Sequence, residues 1–242
     1  MNEKKLGFGT MRLPLLNPDA PKSIDLEQFK KMADLYMERG FRYFDTAYPY
    51  HEEMSEEAVK KAVVMRFPRD HFLLADKMPI VEVKSPEDYP RFFEEQMRRC
   101  GVDYFDYYLL HNLGRDRYEN TEKYGGFDFI RDMKQKGYVR EIGFSYHDDA
   151  KTLDRILTDH PEVDFVQLQI NYLDWDVVKA HEQYDIAQSA GIPVTVMEPL
   201  RGGGLVNLSD KALAKLKEYY PDTTPAAFGL RWAASQKNVI TV

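Results

Sequence analysis

A single cysteine, Cys100, is all that the 242 residues contain. That scarcity excludes an intrachain disulfide, a four-cysteine zinc site and an iron–sulfur cluster held within the chain. No run of 18 apolar residues is present to span a bilayer. Met1 is followed by Asn-Glu-Lys-Lys rather than an apolar stretch, so no secretory signal is visible and a cytoplasmic location is expected. Charge of one sign is not concentrated either. Lys and Arg number 33 against 40 Asp and Glu, a net charge of -7 with no basic stripe, so neither nucleic acid nor a membrane is an expected partner. No G-x-G-x-x-G follows a strand-like segment, which argues against a doubly wound dinucleotide fold. H-x-H and H-E-x-x-H pairs are missing too, and no metal ligands are assigned.

What is present is a core's worth of apolar side chains, 43% of the residues with 13% aromatic, in a regular alternation. Short apolar runs fall at 6–11, 42–46, 72–77, 104–111, 141–145, 165–170, 194–198 and 238–242, several nearly continuous, as parallel strands buried on both faces require. Helical patterns lie between them. Phe29, Met32, Ala33, Tyr36 and Met37 share one face and Gly40 ends that helix, while further stretches cover 56–65, 87–100, 122–136, 150–158, 177–190, 210–219 and 225–235, the last opening on Pro225. Eight strands separated by helices predict an α/β (β/α)8 barrel, one domain over residues 1–242. No helix follows the eighth strand, so the natural chain is expected to continue beyond Val242.

Catalytic groups of such barrels gather where strands end. Those ends carry Asp45, Lys77, His111, Ser145 with His147, Gln169 and Glu198. Each alone has an ordinary explanation: a turn cap, a snorkelling lysine, a histidine satisfied in the core. Their shared position is what singles them out. After the seventh strand runs Glu198-Pro199-Leu200-Arg201-Gly202-Gly203-Gly204, where glycines let backbone amides approach a pyrophosphate and Arg201 adds a charged fork. A flexible turn is the plain alternative. Aromatic side chains near strand ends, Tyr48, Tyr107, Tyr108 and Tyr146 among them, are candidates for an apolar substrate pocket or for simple packing.

Four segments together resemble the aldo-keto reductases: Leu6-Gly7-Phe8-Gly9-Thr10-Met11-Arg12-Leu13-Pro14, Phe44-Asp45-Thr46-Ala47-Tyr48-Pro49-Tyr50, Leu74-Ala75-Asp76-Lys77-Met78-Pro79 and Tyr108-Leu109-Leu110-His111-Asn112. The resemblance runs from about Leu6 to Val242. It implies an NAD(P)-dependent reductase moving a hydride between a nicotinamide and a small-molecule carbonyl, with the family's tetrad at Asp45, Tyr50, Lys77 and His111. Its spacing selects Tyr50 over the neighbouring Tyr48 as general acid. A free tyrosine has pKa ~10, and a nearby ammonium is expected to lower it. The resemblance also places the cofactor on Gly9, Thr10, Met11, Ser145, Gln169, Met197, Pro199, Leu200, Arg201, Gly202 and Gly203. NADP is the implied cofactor, with NAD as the other choice, because the basic segment that binds the 2′-phosphate in relatives is absent.

The forms Met197-Glu198-Pro199-Leu200-Arg201-Gly202-Gly203 and Gly143-Phe144-Ser145-Tyr146-His147 look like a bacterial subgroup. Its members often carry a C-terminal iron–sulfur extension that this sequence lacks. Two other readings are carried forward. One is a non-catalytic barrel that senses dinucleotide; the other is a metal-dependent barrel hydrolase using Asp45, His111, His147 and Glu198.

Overall fold

A computed structural model describes residues 4–242, so the first three residues of the expected 1–242 span lie outside the described residues. Eight parallel strands form one sheet in chain order: β1 (Gly7–Gly9), β2 (Tyr43–Asp45), β3 (Leu73–Met78), β4 (Phe105–Leu113), β5 (Val139–Tyr146), β6 (Phe165–Gln169), β7 (Val194–Met197) and β8 (Val239–Thr241). Two backbone hydrogen bonds join the ends of the sheet, Gly7 N–H to Val242 O and Val242 N–H to Lys5 O, both 2.8 Å. The sheet therefore curls into a barrel, as the alternation predicted.

Among the described residues ten α-helices connect the strands: α1 (Leu26–Glu38), α2 (Ser55–Val59), α3 (Asp88–Cys100), α4 (Arg115–Lys123), α5 (Gly126–Gln135), α6 (Ala150–Asp159), α7 (Asp174–Val177), α8 (Ala180–Ser189), α9 (Asp210–Tyr219) and α10 (Pro225–Ser235). Local signals set several limits. Thr224 caps α10 by accepting from Ala227 N–H, with Pro225 in the first turn, and Gly101 ends α3 in the left-handed region at φ 70°.

Two expected helices are each broken in two. The stretch 122–136 is interrupted at Gly125, φ 75°, and 177–190 at Lys179, φ 56°. A left-handed residue cannot continue a right-handed helix, and the apolar period passes over such a point without registering it. The segment 56–65 also departs from expectation, because α2 widens into a π-helical turn at Lys60–Val64. Strands β1, β2 and β8 hold three residues each, shorter than their apolar runs.

Strand alternation sorts the side chains into two cores. The larger lies between sheet and helices. The smaller fills the barrel: Tyr43, Ala75, Leu109 and Phe165, with Leu73 and Tyr107 against them. Gly143 faces Phe165 across the β5–β6 rung, and a Cβ there would stand 2.3 Å from the Phe165 carbonyl oxygen. The aromatic layer plugs one end of the barrel, and the polar residues higher on the same inward series are left for the other.

Candidate functional site

Asp45 closes β2, and the chain then turns sharply. His51, Glu52 and Glu53 have positive φ of 52°, 50° and 71°, an uncommon run for non-glycine residues, of order 1–3 kcal/mol each. His51 holds the turn in place: its Nε2 accepts from Leu13 N–H (3.0 Å), and its Nδ1 lies 2.9 Å from the Pro21 carbonyl. With Nε2 accepting, Nδ1 carries the proton and donates. The turn returns Tyr50 over the barrel mouth, where its hydroxyl lies 3.2 Å from Lys77 Nζ.

Lys77 is 1% exposed. Its ammonium bonds the Asp45 carboxylate, the Thr46 carbonyl (2.8 Å) and the Tyr50 oxygen. The second Asp45 oxygen accepts from Gln167 Nε2 at 3.1 Å. Hydroxyls support Asp45 from behind: Ser55 Oγ donates to Thr10 Oγ1 (2.8 Å), which donates to the Asp45 carbonyl (2.9 Å), while Thr46 Oγ1 lies 2.9 Å from Ser55 Oγ. Burial pulls the Lys77 ammonium toward neutrality, but Asp45 and Tyr50 outweigh it, and the net shift is upward.

Tyr50 corrects one expectation. Burial raises its pKa, Lys77 opposes, Asp45 adds to the rise, and the net direction is up. The ammonium tempers the cost of burying a phenolate without cancelling it. His111 meets Tyr50 edge to face, with ring centroids 6.0 Å apart. Burial first, then the charges of Lys77, His147 and Arg117, push its imidazole down to about 3, so the ring is neutral at ordinary pH. The rival Tyr48 points elsewhere. Its hydroxyl reaches Glu95 (3.4 Å), and its ring lies against Phe92 and under Arg99.

The expected cofactor residues lie in two groups. Ser145, at the end of β5, is buried and accepts from Asn112 N–H at 2.7 Å. Gln169, at the end of β6, donates from Nε2 to Asp174 (2.8 Å), and Met197 is half-buried at the end of β7. Beyond it the loop bends through positive φ at Glu198 (55°), Arg201 (50°), Gly202 (62°) and Gly203 (93°). Pro199 and Leu200 are half-buried there, and a Cβ on Gly229 of α10 would meet Leu200 Cδ2 at 2.7 Å. Arg201 leans on the buried Asp174 (3.4 Å), and Arg12 pairs with Glu198 (2.9 Å) across the loop. Of the β1 group, Gly9 has open space where a Cβ would stand, Thr10 is buried in the hydroxyl chain, and Met11 is half exposed.

Beside His111 opens a cavity of about 510 Å³ with Tyr48, Ile80, Val81, Phe92 and Asn112 in its walls. Tyr108 and Tyr146 are core residues instead. Of the four residues weighed as metal ligands, Asp45 has both oxygens engaged by Lys77 and Gln167, and Glu198 is paired with Arg12.

Gln167 was missed by the sequence reading. It sits two residues before Gln169 on one strand, and period-two alternation puts both on the same face. Asn171 and Asp174 were missed as well. Asn171 Nδ2 donates to Asp174 (2.7 Å) and to the Glu198 carbonyl (3.1 Å), tying the β6 turn to the β7 loop. Nothing in their spacing announces that.

The fold and site define a barrel whose strand ends hold a buried, ion-paired lysine beside a tyrosine. Comparison with known proteins gives the same class. The profile of the aldo/keto reductase family matches residues 5–242, and the chain belongs to that family. It is an NAD(P)-dependent oxidoreductase of the carbonyl–alcohol kind. An aldo-keto reductase of Mycolicibacterium vanbaalenii is 28% identical over 209 residues, 84% of this chain and 68% of that protein. The glyoxal reductase of Bacillus subtilis is 26% identical over 208 residues, 85% and 69%. Among solved structures, the holo form of an aldo-keto reductase from Bacillus halodurans superposes with a TM-score of 0.76 at 23% identity, covering 98% of this chain and 80% of that one. One from Klebsiella pneumoniae in complex with NADPH gives 0.68 at 23%, covering 99% and 80%. At that identity the structural likeness speaks for the barrel. No helix among the described residues is long and apolar enough to cross a membrane.

Proposed function

We propose that the chain, acting as one barrel domain, reduces an aldehyde or ketone with NADPH, and that Tyr50 delivers the proton. One observation carries this reading: Lys77 Nζ is held between the Asp45 carboxylate and a Tyr50 hydroxyl 3.2 Å away. The nicotinamide, when bound, supplies the hydride. As that electron pair arrives on the carbonyl carbon, the π pair moves to oxygen and takes the Tyr50 proton, leaving a phenolate against Lys77. An alkoxide is a far stronger base than a phenolate, so a raised Tyr50 pKa does not block the transfer. The Lys77 ammonium, fixed by Asp45 and Thr46, stabilises the charge as it forms. Neutral His111 keeps an N–H for the carbonyl oxygen.

The residues present fit the dinucleotide. Ser145 Oγ already accepts from Asn112, which leaves its proton to donate, and Gln169 has given Nε2 to Asp174, which leaves its carbonyl to accept. One donor and one acceptor match a carboxamide. Met197 offers a polarizable face to the ring. Gly9, Thr10 and Met11 would border the cofactor at β1, and Pro199, Leu200, Arg201, Gly202 and Gly203 would take the pyrophosphate. Gly203 has an empty approach where a Cβ would stand. NADPH is preferred to NADH because the Klebsiella neighbour is a complex with NADPH.

Tyr50→Phe tests the assignment. Reduction of an aldehyde panel that includes glyoxal is expected to fall roughly 10²–10⁴-fold, the usual weight of general acid catalysis, while NADPH affinity from tryptophan fluorescence stays within about twofold. A variant that keeps most of its rate removes Tyr50 from the chemistry. An unaltered protein that binds NADPH yet turns over no aldehyde would favour the sensing barrel.

A further inference from the structure

Strand β2 stops at Asp45 while β3 runs on to Met78, so the last rung between them is Asp45–Ala75, closed by Thr46 N–H on the Ala75 carbonyl (3.0 Å). Two residues further, the backbone groups of Lys77 are met by side chains. Lys77 N–H donates to Asp76 Oδ1 (2.8 Å), and the Lys77 carbonyl accepts from Gln96 Nε2 (3.0 Å). Gln96 comes from α3 and is fully buried. Its Nε2 also donates to Glu56 Oε1 (3.0 Å), and its Oε1 accepts from the Tyr108 hydroxyl at 2.6 Å. Arg99 then bonds Glu56 Oε2 (3.2 Å) and lies 4.5 Å from the centre of the Tyr48 ring, which lines the cavity.

The two N–H groups and the oxygen of the Gln96 amide are thus all engaged, in a place where an apolar side chain would fill the space. A buried amide fixed by three partners holds a position, because leaving any of them unmet costs free energy. What it holds is the main chain of Lys77. A lysine side chain has four rotatable bonds, and its Nζ reaches Tyr50 reproducibly only when the Cα is fixed.

We propose that Gln96 is a positioning residue of this site, setting with Asp76 the reach of Lys77 toward Tyr50. The proposal rests on the functional reading above. Glu56, bonded by Arg99 (3.2 Å), and Asp76 lie buried behind the Lys77 main chain, and burial raises both carboxyl groups. Burial pushes Asp76 well above the usual carboxylate range, with Glu56 adding to the rise.

Two variants test this with glyoxal, NADPH and crystals. Gln96→Leu is expected to lower kcat at least about tenfold, the scale of a misplaced catalytic group, with NADPH Kd within about twofold. Its crystal structure is expected to show Lys77 Nζ withdrawn from the Tyr50 oxygen beyond hydrogen-bond reach. Tyr108→Phe, which removes only the hydroxyl on Gln96, is expected to lower kcat a few-fold and serves if Gln96→Leu does not fold. An unchanged Lys77–Tyr50 separation in either network variant overturns the proposal, as does a parallel loss of kcat and NADPH affinity. The crystal result decides it even if Tyr50→Phe keeps its rate, which would sink the functional reading instead.

Discussion

The loop after β2 and the loop after β7 both run through left-handed backbone, at residues 51–53 and at 198 and 201–203. They spend it differently. The first is locked: His51 is bonded on both ring nitrogens, and Tyr50 ends beside a lysine with 1% of its surface exposed. The second is open. Arg201 is half exposed, Gly203 has nothing within 4 Å of where a Cβ would stand, and the Arg12–Glu198 pair lies at the surface. A proton donor needs its neighbours within tenths of an ångström before substrate arrives, whereas a loop that closes on a dinucleotide must yield to let it in. The difference predicts that damage to the first loop's partners appears in chemistry and damage to the second in binding.

Lys77→Met is the hardest test of that division. It leaves Asp45 with Gln167 as its remaining bonded side chain. Removing one partner of a buried pair costs about 3 kcal/mol or more, so the melting temperature should fall as well. Aldehyde reduction should drop by about 10³-fold, as for loss of a preorganised charge, with NADPH affinity nearly kept. If NADPH affinity collapsed together with rate, the two regions would not be separable.

Gly203→Ala probes the other side with a smaller effect. At φ 93° an L residue is strained by about 1–2 kcal/mol, although no atom blocks the methyl itself. The free variant loop can relax away from that φ and the bound loop must restore it, which converts to roughly a 5–30-fold rise in NADPH Kd. The kcat at saturating NADPH should not move, and a changed kcat with an unchanged Kd would reverse the assignment of the loops.

How much of this the sequence disclosed depends on how local each signal is. The strands were legible because their apolar runs are written in neighbouring residues; the same period of two pairs Tyr43 with Asp45, Ala75 with Lys77 and Gln167 with Gln169 on one face, a signal the reading left unused for Gln167. The positions of Asp45, Lys77 and His111 at strand ends followed from the same pattern, and the choice of Tyr50 came from family spacing. The rest was hidden because it is made by pairs far apart in the chain. Gln96 meets Lys77 from a neighbouring helix, Asn171 meets the Glu198 carbonyl, and Arg12 meets Glu198 over 186 positions. The net rise of the Tyr50 pKa was hidden for a related reason. Burial is a sum over the whole fold, while the Lys77 charge is a single neighbour that sequence can name.

A further test of the locked region concerns acid. In the folded chain His111 holds its proton only near pH 3, whereas an unfolded histidine takes one near 6.5. Above 6.5 both states are neutral and His111 adds nothing to the pH slope. As the pH falls below 6.5 the unfolded chain binds a proton that folded His111 refuses, so stability present at neutral pH is progressively lost, at up to about 1.4 kcal/mol per pH unit. The loss continues until the pH passes through about 3, where folded His111 charges too. His111→Gln removes the titrating group, so its urea midpoint should fall less steeply than that of the unaltered protein between pH 6 and pH 4. Parallel midpoint curves would mean that the ring is hydrated and charged in the folded state, and the β2–β4 side of the mouth would then be as open as the loop after β7.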